Sequence, residues 1–322
     1  MNELHPRRLV AIGELLIDFS GGRPGAIATV DSFVRHPGGA PANVAVQFAK
    51  LGGSAKLITK LGCDGFGDYL MSVMKENQVD VSSIARTDAA HTALAFVALA
   101  EDGERDFVFY RHPSSDMLLD QADVKPADFR EGDLLHFCSV DLVDAPVKSA
   151  HDKALALALA NHMTISFDPN LRFALWPDRT KLKATVWKYL PFADILKVGE
   201  DEAEFLTGGS DEAAWRTLMQ GNVRLLILTR GKHGASLYTK DARIDVPGIP
   251  VKAVDTTGAG DAFIAAFLYA LVHLGIGRDA LDLDQQTLKT ALRYANRVGA
   301  AVVTKHGAIP SMPSRSDVGD PA

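Results

Sequence analysis

Short apolar, β-rich runs alternate with helical segments along most of the chain. The spacing of apolar positions predicts a strand over 9–19, a helix over 42–51, a strand over 56–61 and a helix over 66–76. Further strands are predicted at 134–139, 164–167, 195–198 and 225–229. Continuous apolar strands that alternate with helices are typical of parallel sheets covered on both faces. The sequence therefore predicts an α/β fold with a doubly wound, mostly parallel sheet.

Two segments interrupt this alternation. Residues 93–100 and 105–111 flank Asp102-Gly103, a strong hairpin turn signal, so they are predicted to pair as antiparallel strands. Such a hairpin is either an addition to the sheet edge or a flap over a site, and the residues alone leave both open. The polar, proline-containing segment from residue 311 onward is predicted to lie loosely on the surface.

Length and charge limit the classes of function. A chain of 322 residues fits one large domain or two ordinary ones. Its 34 basic and 40 acidic side chains give a net charge of −6 without a basic run, which argues against nucleic acid and anionic lipid as partners. The most apolar stretch, 262–272, is too short to span a bilayer. Two cysteines form no disulfide framework, and we expect a cytoplasmic enzyme or ligand-binding protein.

The most informative stretch is Asp255-Thr256-Thr257-Gly258-Ala259-Gly260-Asp261-Ala262-Phe263. It follows a short β-rich run at 251–254 and opens an apolar helix that is predicted to end near Gly275. Small residues let a ligand approach the backbone, and the amides at a helix start form an anion site. The helix dipole favours an ionised Asp261 in the first turn. A plain helix cap at Asp255 or Thr257 is the alternative.

This stretch resembles the carboxy-terminal signature of the PfkB (ribokinase-like) sugar kinases. The amino-terminal signature of that family is similar to Gly38-Gly39-Ala40-Pro41-Ala42-Asn43-Val44-Ala45, and the resemblance covers about 9–313. It implies a single ribokinase-like domain over 1–322, with β-lid segments near 19–36 and 93–112 over a sugar site. In the family such a lid often contributes to a dimer contact, which implies a homodimer through the lid.

The resemblance also implies roles for individual residues. Asp261 would be the catalytic base for the sugar hydroxyl, and the amides of Gly258, Ala259 and Gly260 would form the anion hole. Carboxylates and amides suit vicinal diols, so the sugar would be held at the end of the first strand and at the amino-terminal signature. The residues implied there are Asp18, Gly38, Gly39 and Asn43; Asp18 as a turn residue and Asn43 as a first-turn helix residue are the alternatives.

Two other segments are expected near the sugar. Asp168-Pro169-Asn170-Leu171-Arg172 resembles a form found in fructokinases and 2-keto-3-deoxygluconate kinases, which places Asn170 and Arg172 near substrate or γ-phosphate. The alternative is a turn with a solvated arginine. The predicted lid would cover the sugar with Phe96, Tyr110 and Arg111, although aromatics there could equally pack against the sheet or a partner chain.

The nucleotide and metal residues follow from weaker motifs. Thr229, Gly231 and Gly234 resemble the TxGxxG turn of the family's nucleotide side, and Asn296 resembles a residue that borders adenine. In relatives, positions that match Asp255, Thr257 and Ser311 hold a monovalent cation, which implies K⁺. The acidic NxxE motif is half preserved, with Gly199 at its first position, and implies that Glu202 binds Mg²⁺ through water. An exposed helix charge is the alternative for Glu202.

Residues 13–19 and 105–119 resemble fructokinases most. The sequence therefore predicts ATP-dependent phosphorylation of D-fructose at its 6-hydroxyl. A 2-keto-3-deoxygluconate kinase, a ribokinase or an aminoimidazole riboside kinase are the alternatives within the family. A non-catalytic sugar sensor would be expected to have lost Asp261 or the glycines beside it, and both are present.

Overall fold

The computed structural model describes residues 7–22, 25–99, 105–281 and 284–322. Its strands are β1 (Leu9–Ile12), β2 (Leu16–Gly21), β3 (Phe33–Gly38), β4 (Ala55–Gly62), β5 (Val79–Asp80), β6 (Ile84–Thr87), β7 (Leu94–Leu99), β8 (Arg105–Tyr110), β9 (Leu134–Cys138), β10 (Thr164–Asp168), β11 (Ile195–Gly199), β12 (Leu225–Thr229), β13 (Ala235–Tyr238) and β14 (Arg243–Val246). Its helices are α1 (Ala40–Lys50), α2 (Gly65–Glu76), α3 (Pro146–Ala160), α4 (Arg179–Tyr189), α5 (Glu200–Thr207), α6 (Glu212–Arg216), α7 (Ala259–His273), α8 (Gln285–Val302) and α9 (Arg315–Val318).

The larger sheet has the order β14-β13-β12-β11-β10-β9-β1-β4-β5, with β6 also paired to β4. Its strands pair in parallel from β12 through β1 to β4, β5 and β6, and β13 and β14 add an antiparallel edge. One apolar core packs α1, α2, α7 and α8 on one face, and a second packs α3, α4 and α5 on the other. The predicted doubly wound, mostly parallel sheet is confirmed.

A smaller sheet has the order β3-β2-β7-β8. Strands β7 and β8 pair antiparallel with Phe96 opposite Val108, as the sequence predicts for this hairpin, and its Asp102-Gly103 turn lies outside the described residues. Strand β2 runs parallel to β7 and antiparallel to β3. The sheet therefore joins the two segments that were predicted to form a lid.

Three sequence-based predictions of local structure are wrong. The single strand over 9–19 is two strands in two sheets, because the chain bends at Gly13 (φ +141°), where a side chain would collide with Pro41. No strand forms at 251–254; instead the amides of Val254 and Asp255 donate to the carbonyl of Val303 beyond α8.

The third wrong prediction concerns the carboxy-terminal segment, which is more ordered than predicted. Ser311, Met312 and Val318 are buried, and α9 lies within this segment. The Gln47 side chain donates to the carbonyl of Pro313, and the Tyr294 hydroxyl donates to that of Gly319. The segment therefore packs against α1 and α8. Among the described residues no helix is long and apolar enough to cross a membrane.

Candidate active site

Asp261 lies in the first turn of α7, where the carboxyl ends of several strands converge. Its side chain is buried, and Nδ2 of Asn43 donates a hydrogen bond to its Oδ2 at 2.8 Å. The other amide atom, Asn43 Oδ1, is buried with no hydrogen-bond partner among the described residues. Asn43 thus joins α1 to α7 and retains an acceptor that suits a sugar hydroxyl.

The protonation of Asp261 depends on opposing effects. Burial raises the pKa of Asp261 above its ordinary range, and the negative charge of Glu202 raises it further. The hydrogen bond from Asn43 and the positive charges of Arg172 and Lys197 lower this pKa. Because the base must accept a proton near neutral pH, this combination of burial and compensating cations is suitable for general-base catalysis.

The turn before α7 has a backbone that requires glycine. Gly258 has φ +78°, and a Cβ added there would lie 2.7 Å from Cβ of Ala308. The first amides of a helix lack intrahelical acceptors, so those of Gly258 and Gly260 suit an anion hole. The amide of Ala259 instead donates to the carbonyl of Thr256 at 3.2 Å. That amide would have to share or lose this bond to contact a phosphoryl group.

Gly38 and Gly39, the glycines predicted to lie near the sugar, make room for neighbouring groups. A Cβ on Gly38 would overlap Oδ2 of Asp18, and Gly39 has φ +107°, where an added Cβ would lie 2.3 Å from the carbonyl oxygen of Glu14. Asp18 is half-buried, and burial raises its pKa to about 6 against the lowering effect of Arg172. The charge of Asp261 raises the same pKa. The charges of Asp18 and Asp261 therefore act on each other, and that of Arg172 acts on both.

The residues predicted to contact the nucleotide lie on β12, on the turn that follows it and on α8. The Thr229 hydroxyl donates to the carbonyl of Val198 at 3.3 Å, and Asn296 Nδ2 donates to those of Val246 and Pro247 at 3.3 and 3.2 Å. Gly231 and Gly234 have φ +51° and +90°. A Cβ on Gly234 would collide with the carbonyl of Val246, so Gly234 and Asn296 contact the same segment after β14.

The predicted cation residues are brought together by one loop. Asp255 Oδ1 accepts hydrogen bonds from the amide and hydroxyl of Thr257 at 2.9 and 2.7 Å, and Oδ2 accepts one from the Gly307 amide at 2.9 Å. The buried Ser311 hydroxyl donates to the carbonyls of Gly307 and Ala308. These contacts connect the loop at 307–311 to the turn that carries Gly258.

A model of the pfkB family of carbohydrate kinases matches residues 6–315. The chain belongs to this family. Fructokinase-1 of Oryza sativa subsp. japonica is 43% identical over 314 residues, which cover 96% of each chain.

Solved structures agree with this assignment. A fructokinase with bound ATP from Xylella fastidiosa superposes with a TM-score of 0.90 at 36% identity, covering 98% of this chain and 97% of that one. A double-mutant fructokinase from Vibrio cholerae O395, in its fructose-, ADP- and potassium-bound form, superposes with a TM-score of 0.86 at 33% identity over 97% of both chains. The fold is therefore the ribokinase-like fold of these kinases.

The lid assignments of this pfkB kinase need correction. Phe19 pairs with Phe96, and Asp18 pairs with Ala95, on adjacent strands. Because side chains alternate along a strand, Phe96 lies on the face opposite to Asp18, and Tyr110, which pairs with Leu94, lies there too. Phe96 stacks on Phe19 with ring centroids 4.8 Å apart. Neither aromatic shares the face that carries Asp18.

Arg111 is also placed differently from the prediction. Arg111 is 2% exposed, and its guanidinium forms ion pairs with the buried carboxylates of Asp116 and Asp141. These carboxylates raise the pKa of Arg111 although burial acts to lower it. Arg111 therefore joins the end of β8 to the loops after β8 and β9. It is a structural cation in this arrangement, where the sequence analysis assigned it to the sugar.

Both carboxylate oxygens of Glu202 accept hydrogen bonds from backbone amides. Oε1 accepts the Leu171 amide at 2.6 Å, and Oε2 accepts the Gly199 amide at 2.8 Å. Glu202 thus caps α5 and fixes the loop that carries Asn170 (φ +46°) and the exposed Arg172. Among the described residues no group of three or more His, Cys, Asp or Glu is arranged to hold a metal ion. A role of Glu202 toward Mg²⁺ would have to pass through water.

The structure adds one residue that the sequence analysis missed. Lys197 lies in the apolar strand β11, is 7% exposed, and its Nζ contacts Oδ2 of Asp168 at 2.8 Å. A buried lysine is rare without a partner, so its position inside an apolar run was the available signal. Burial would lower the pKa of Lys197, but the carboxylates of Asp168, Glu202 and Asp261 raise it above its ordinary range.

Proposed function

We propose that this kinase transfers the γ-phosphoryl group of ATP to the 6-hydroxyl of D-fructose. The observation that carries the proposal is Asp261, a buried carboxylate fixed by Asn43 at the start of a helix whose amides suit an anion. The family match and the 43% identity to a fructokinase support the choice of reaction and sugar.

In this reaction one group of residues acts on the sugar and another on the phosphoryl group. Asp18 accepts hydrogen bonds from fructose hydroxyls, Oδ1 of Asn43 accepts another, and Asp261 accepts the proton of the 6-hydroxyl. The 6-oxygen then bonds to the γ-phosphorus as the bond to the β–γ bridging oxygen breaks, which releases ADP. The amides of Gly258 and Gly260 stabilise the charge on the transferring phosphoryl oxygens.

The buried ion pairs of Arg111 favour a neutral sugar. A 2-keto-3-deoxygluconate kinase must bind a substrate carboxylate, for which a free arginine on the lid is well suited. Here Arg111 is already paired with Asp116 and Asp141. D-fructose needs no such partner, and it is therefore our choice over the acidic sugar.

The first experiment is an ADP-release assay on D-fructose, 2-keto-3-deoxygluconate, ribose and aminoimidazole riboside. We expect the highest kcat/KM on fructose, with fructose 6-phosphate identified by NMR. A higher value on another acceptor overturns the sugar assignment. Fructose binding without ADP release would favour a sugar sensor.

The second experiment tests the base. Asp261→Asn keeps an acceptor for Asn43 but removes the carboxylate, so we expect kcat to fall by ~10²–10⁴ with fructose affinity retained. Asp284→Asn is the matched control, because Asp284 caps α8 through its side chain and lies at the start of another helix. If the two variants have the same kcat, Asp261 is only a helix residue.

The proposal also includes two metal ions and a cytoplasmic location. ATP would act with Mg²⁺ bound mainly by phosphates and water, and K⁺ would bind where Asp255, Thr257 and Ser311 meet the loop at 307–311. The potassium-bound Vibrio cholerae structure supports the choice of this cation. Both cysteines are free thiols, which suits a cytoplasmic location.

We also propose a homodimer through the small sheet. On the face of this sheet opposite to Asp18, Val108 and Tyr110 are 39% and 63% exposed, which leaves two large apolar side chains in water. A second copy of the chain would bury them. Analytical ultracentrifugation should show a dimer for the wild type and a monomer for Tyr110→Lys; a monomeric wild type at micromolar concentration contradicts the proposal.

A further inference from the structure

Asp168 at the carboxyl end of β10 and Lys197 in the middle of the neighbouring parallel strand β11 form a buried ion pair. They lie one position beyond the paired residues Phe167 and Leu196, and Nζ contacts Oδ2 at 2.8 Å. Asp168 is 1% exposed and Lys197 is 7% exposed. Ligands of open α/β sheets bind at this edge, so the pair lies where substrate chemistry takes place.

The ammonium of Lys197 lies directly against the proposed anion hole. A Cβ added to Gly260 would be 3.1 Å from Nζ of Lys197. The φ of Gly260 is outside the left-handed region, so its backbone alone does not require glycine. The closeness of the Lys197 ammonium gives a physical reason for glycine at this position.

Negative charges surround Lys197, so a transferring phosphoryl group here would need a nearby cation. The carboxylates of Asp168, Glu202 and Asp261 all act on Lys197, and the other cation that acts on Asp261, Arg172, is exposed on its loop. A transferring phosphoryl group carries negative charge on three oxygens. A buried ammonium beside the α7 amides can stabilise that charge where water is excluded.

We propose that Lys197 is a further catalytic residue, whose Nζ contacts an oxygen of the phosphoryl group during transfer while it remains paired with Asp168. The inference rests on the proposed function for the existence of phosphoryl transfer but does not depend on which sugar accepts. The alternative is that Lys197 only neutralises the buried Asp168.

A double variant separates these two roles. Lys197→Met should lower kcat by ~10²–10³, as loss of one oxyanion donor does, with fructose affinity by calorimetry unchanged. Lys197→Met leaves Asp168 unpaired and can destabilise the fold, so Lys197→Met/Asp168→Asn removes both charges and retains the Oδ1 acceptor for the Asn170 amide. We expect this double variant to remain at least 10²-fold slower than Asp168→Asn alone. A kcat within 3-fold of Asp168→Asn overturns the inference.

The same sheet offers a matched control. Lys56 on β4 is 6% exposed, and its Nζ contacts Oδ1 of Asp128 at 2.6 Å, but the pair lies at the amino-terminal part of its strand, away from Asp261. Lys56→Met/Asp128→Asn therefore removes an equivalent buried pair. We expect a lower melting temperature and an unchanged kcat.

A binding measurement completes the test. ADP with aluminium fluoride mimics the transferring phosphoryl group, so we expect Lys197→Met/Asp168→Asn to bind it at least 10-fold more weakly than Asp168→Asn, with ADP affinity alone equal. Equal affinities for the mimic overturn the inference. If none of the sugars tested makes the wild type release ADP, the proposed function fails. The comparison of affinities for ADP with aluminium fluoride still decides the role of Lys197.

Discussion

Gly258→Ala tests whether the turn before α7 is a catalytic structure. The residue has φ +78°, and its added methyl would lie 2.7 Å from Cβ and 3.0 Å from Cα of Ala308. Two carbons prefer a separation of about 3.5–4.0 Å, so the turn and the loop at 307–311 must move apart by about 1 Å. Alanine in this backbone conformation costs a further ~1–2 kcal/mol.

The displacement should affect catalysis more than folding. A misplacement of about 1 Å at reacting groups can lower the rate ~10²-fold, and the Gly258 amide belongs to the proposed anion hole. We therefore expect kcat of Gly258→Ala to fall ~10²-fold in the ADP-release assay, with the fructose Kd from calorimetry unchanged. Loss of stability is measured separately by thermal melting.

Gly275 at the other end of α7 is the matched control. It has φ +75°, and a Cβ there would meet no atom within 4 Å. Gly275→Ala should lose the same ~1–2 kcal/mol of folding free energy and keep its kcat. The reasoning is refuted if Gly258→Ala retains kcat within 3-fold of the wild type, or if both variants lose activity equally.

Three further predictions concern the sugar and cation sites. In Gly38→Ala the added methyl overlaps Oδ2 of Asp18 and should displace this carboxylate. We expect KM for fructose to rise at least ~10-fold with KM for ATP unchanged. Equal changes in both KM values would contradict this. Asp18→Asn should weaken fructose binding and raise the melting temperature at pH 7.5 by roughly 2 °C. The folded pKa of about 6 exceeds the unfolded value of about 4, so stability is lost as pH rises through 6, and the gain from Asn should vanish below about pH 4; a gain independent of pH would contradict this. Replacing K⁺ by tetramethylammonium should lower kcat, and Asp255→Asn should abolish the difference; a rate indifferent to K⁺ excludes the cation site.

The fold was largely predictable because strands buried on both faces leave continuous apolar runs. The same property hid the bend at Gly13, because buried apolar residues stand on both sides of it, at 9–12 and at 15–17, and the close contact at Gly13 is with the distant Pro41. The buried tail was missed for a related reason. Its partners, Gln47 and Tyr294, are remote in sequence, and polar residues beside prolines give no local sign of such contacts.

The geometry of the candidate site was predictable where the backbone itself is constrained. Gly39 and Gly258 have left-handed backbones that make their motifs recognisable, and Asn43 does contact Asp261. The lid aromatics were misplaced because the register between β2 and β7 decides which face each side chain occupies. That register arises from pairing between distant segments and is absent from the local sequence. On the face of Asp18, Phe109 packs against Leu16 and Ala95.

The charges of the site explain how a chain of net charge −6 can bind a triphosphate. The carboxylate of Glu202 is bound by two backbone amides, and that of Asp168 is paired with Lys197. The negative charge of these two groups is therefore compensated within the protein. In the proposed function, Asp18 and Asp261 act on the sugar hydroxyls, while Lys197 and the amides at the start of α7 act on the phosphoryl group.

The proposed site therefore has acceptors and donors in two separate places. In the proposed reaction, Asp18 accepts hydrogen bonds from the sugar and Asp261 accepts its proton, whereas Lys197 and the α7 amides stabilise anionic phosphoryl oxygens. Lys197 stands at the boundary, because it is paired with one carboxylate and lies 3.1 Å from the Cβ position of Gly260. Removing its charge should therefore affect phosphoryl transfer and leave sugar binding intact, whereas loss of Asp18 should have the opposite effect.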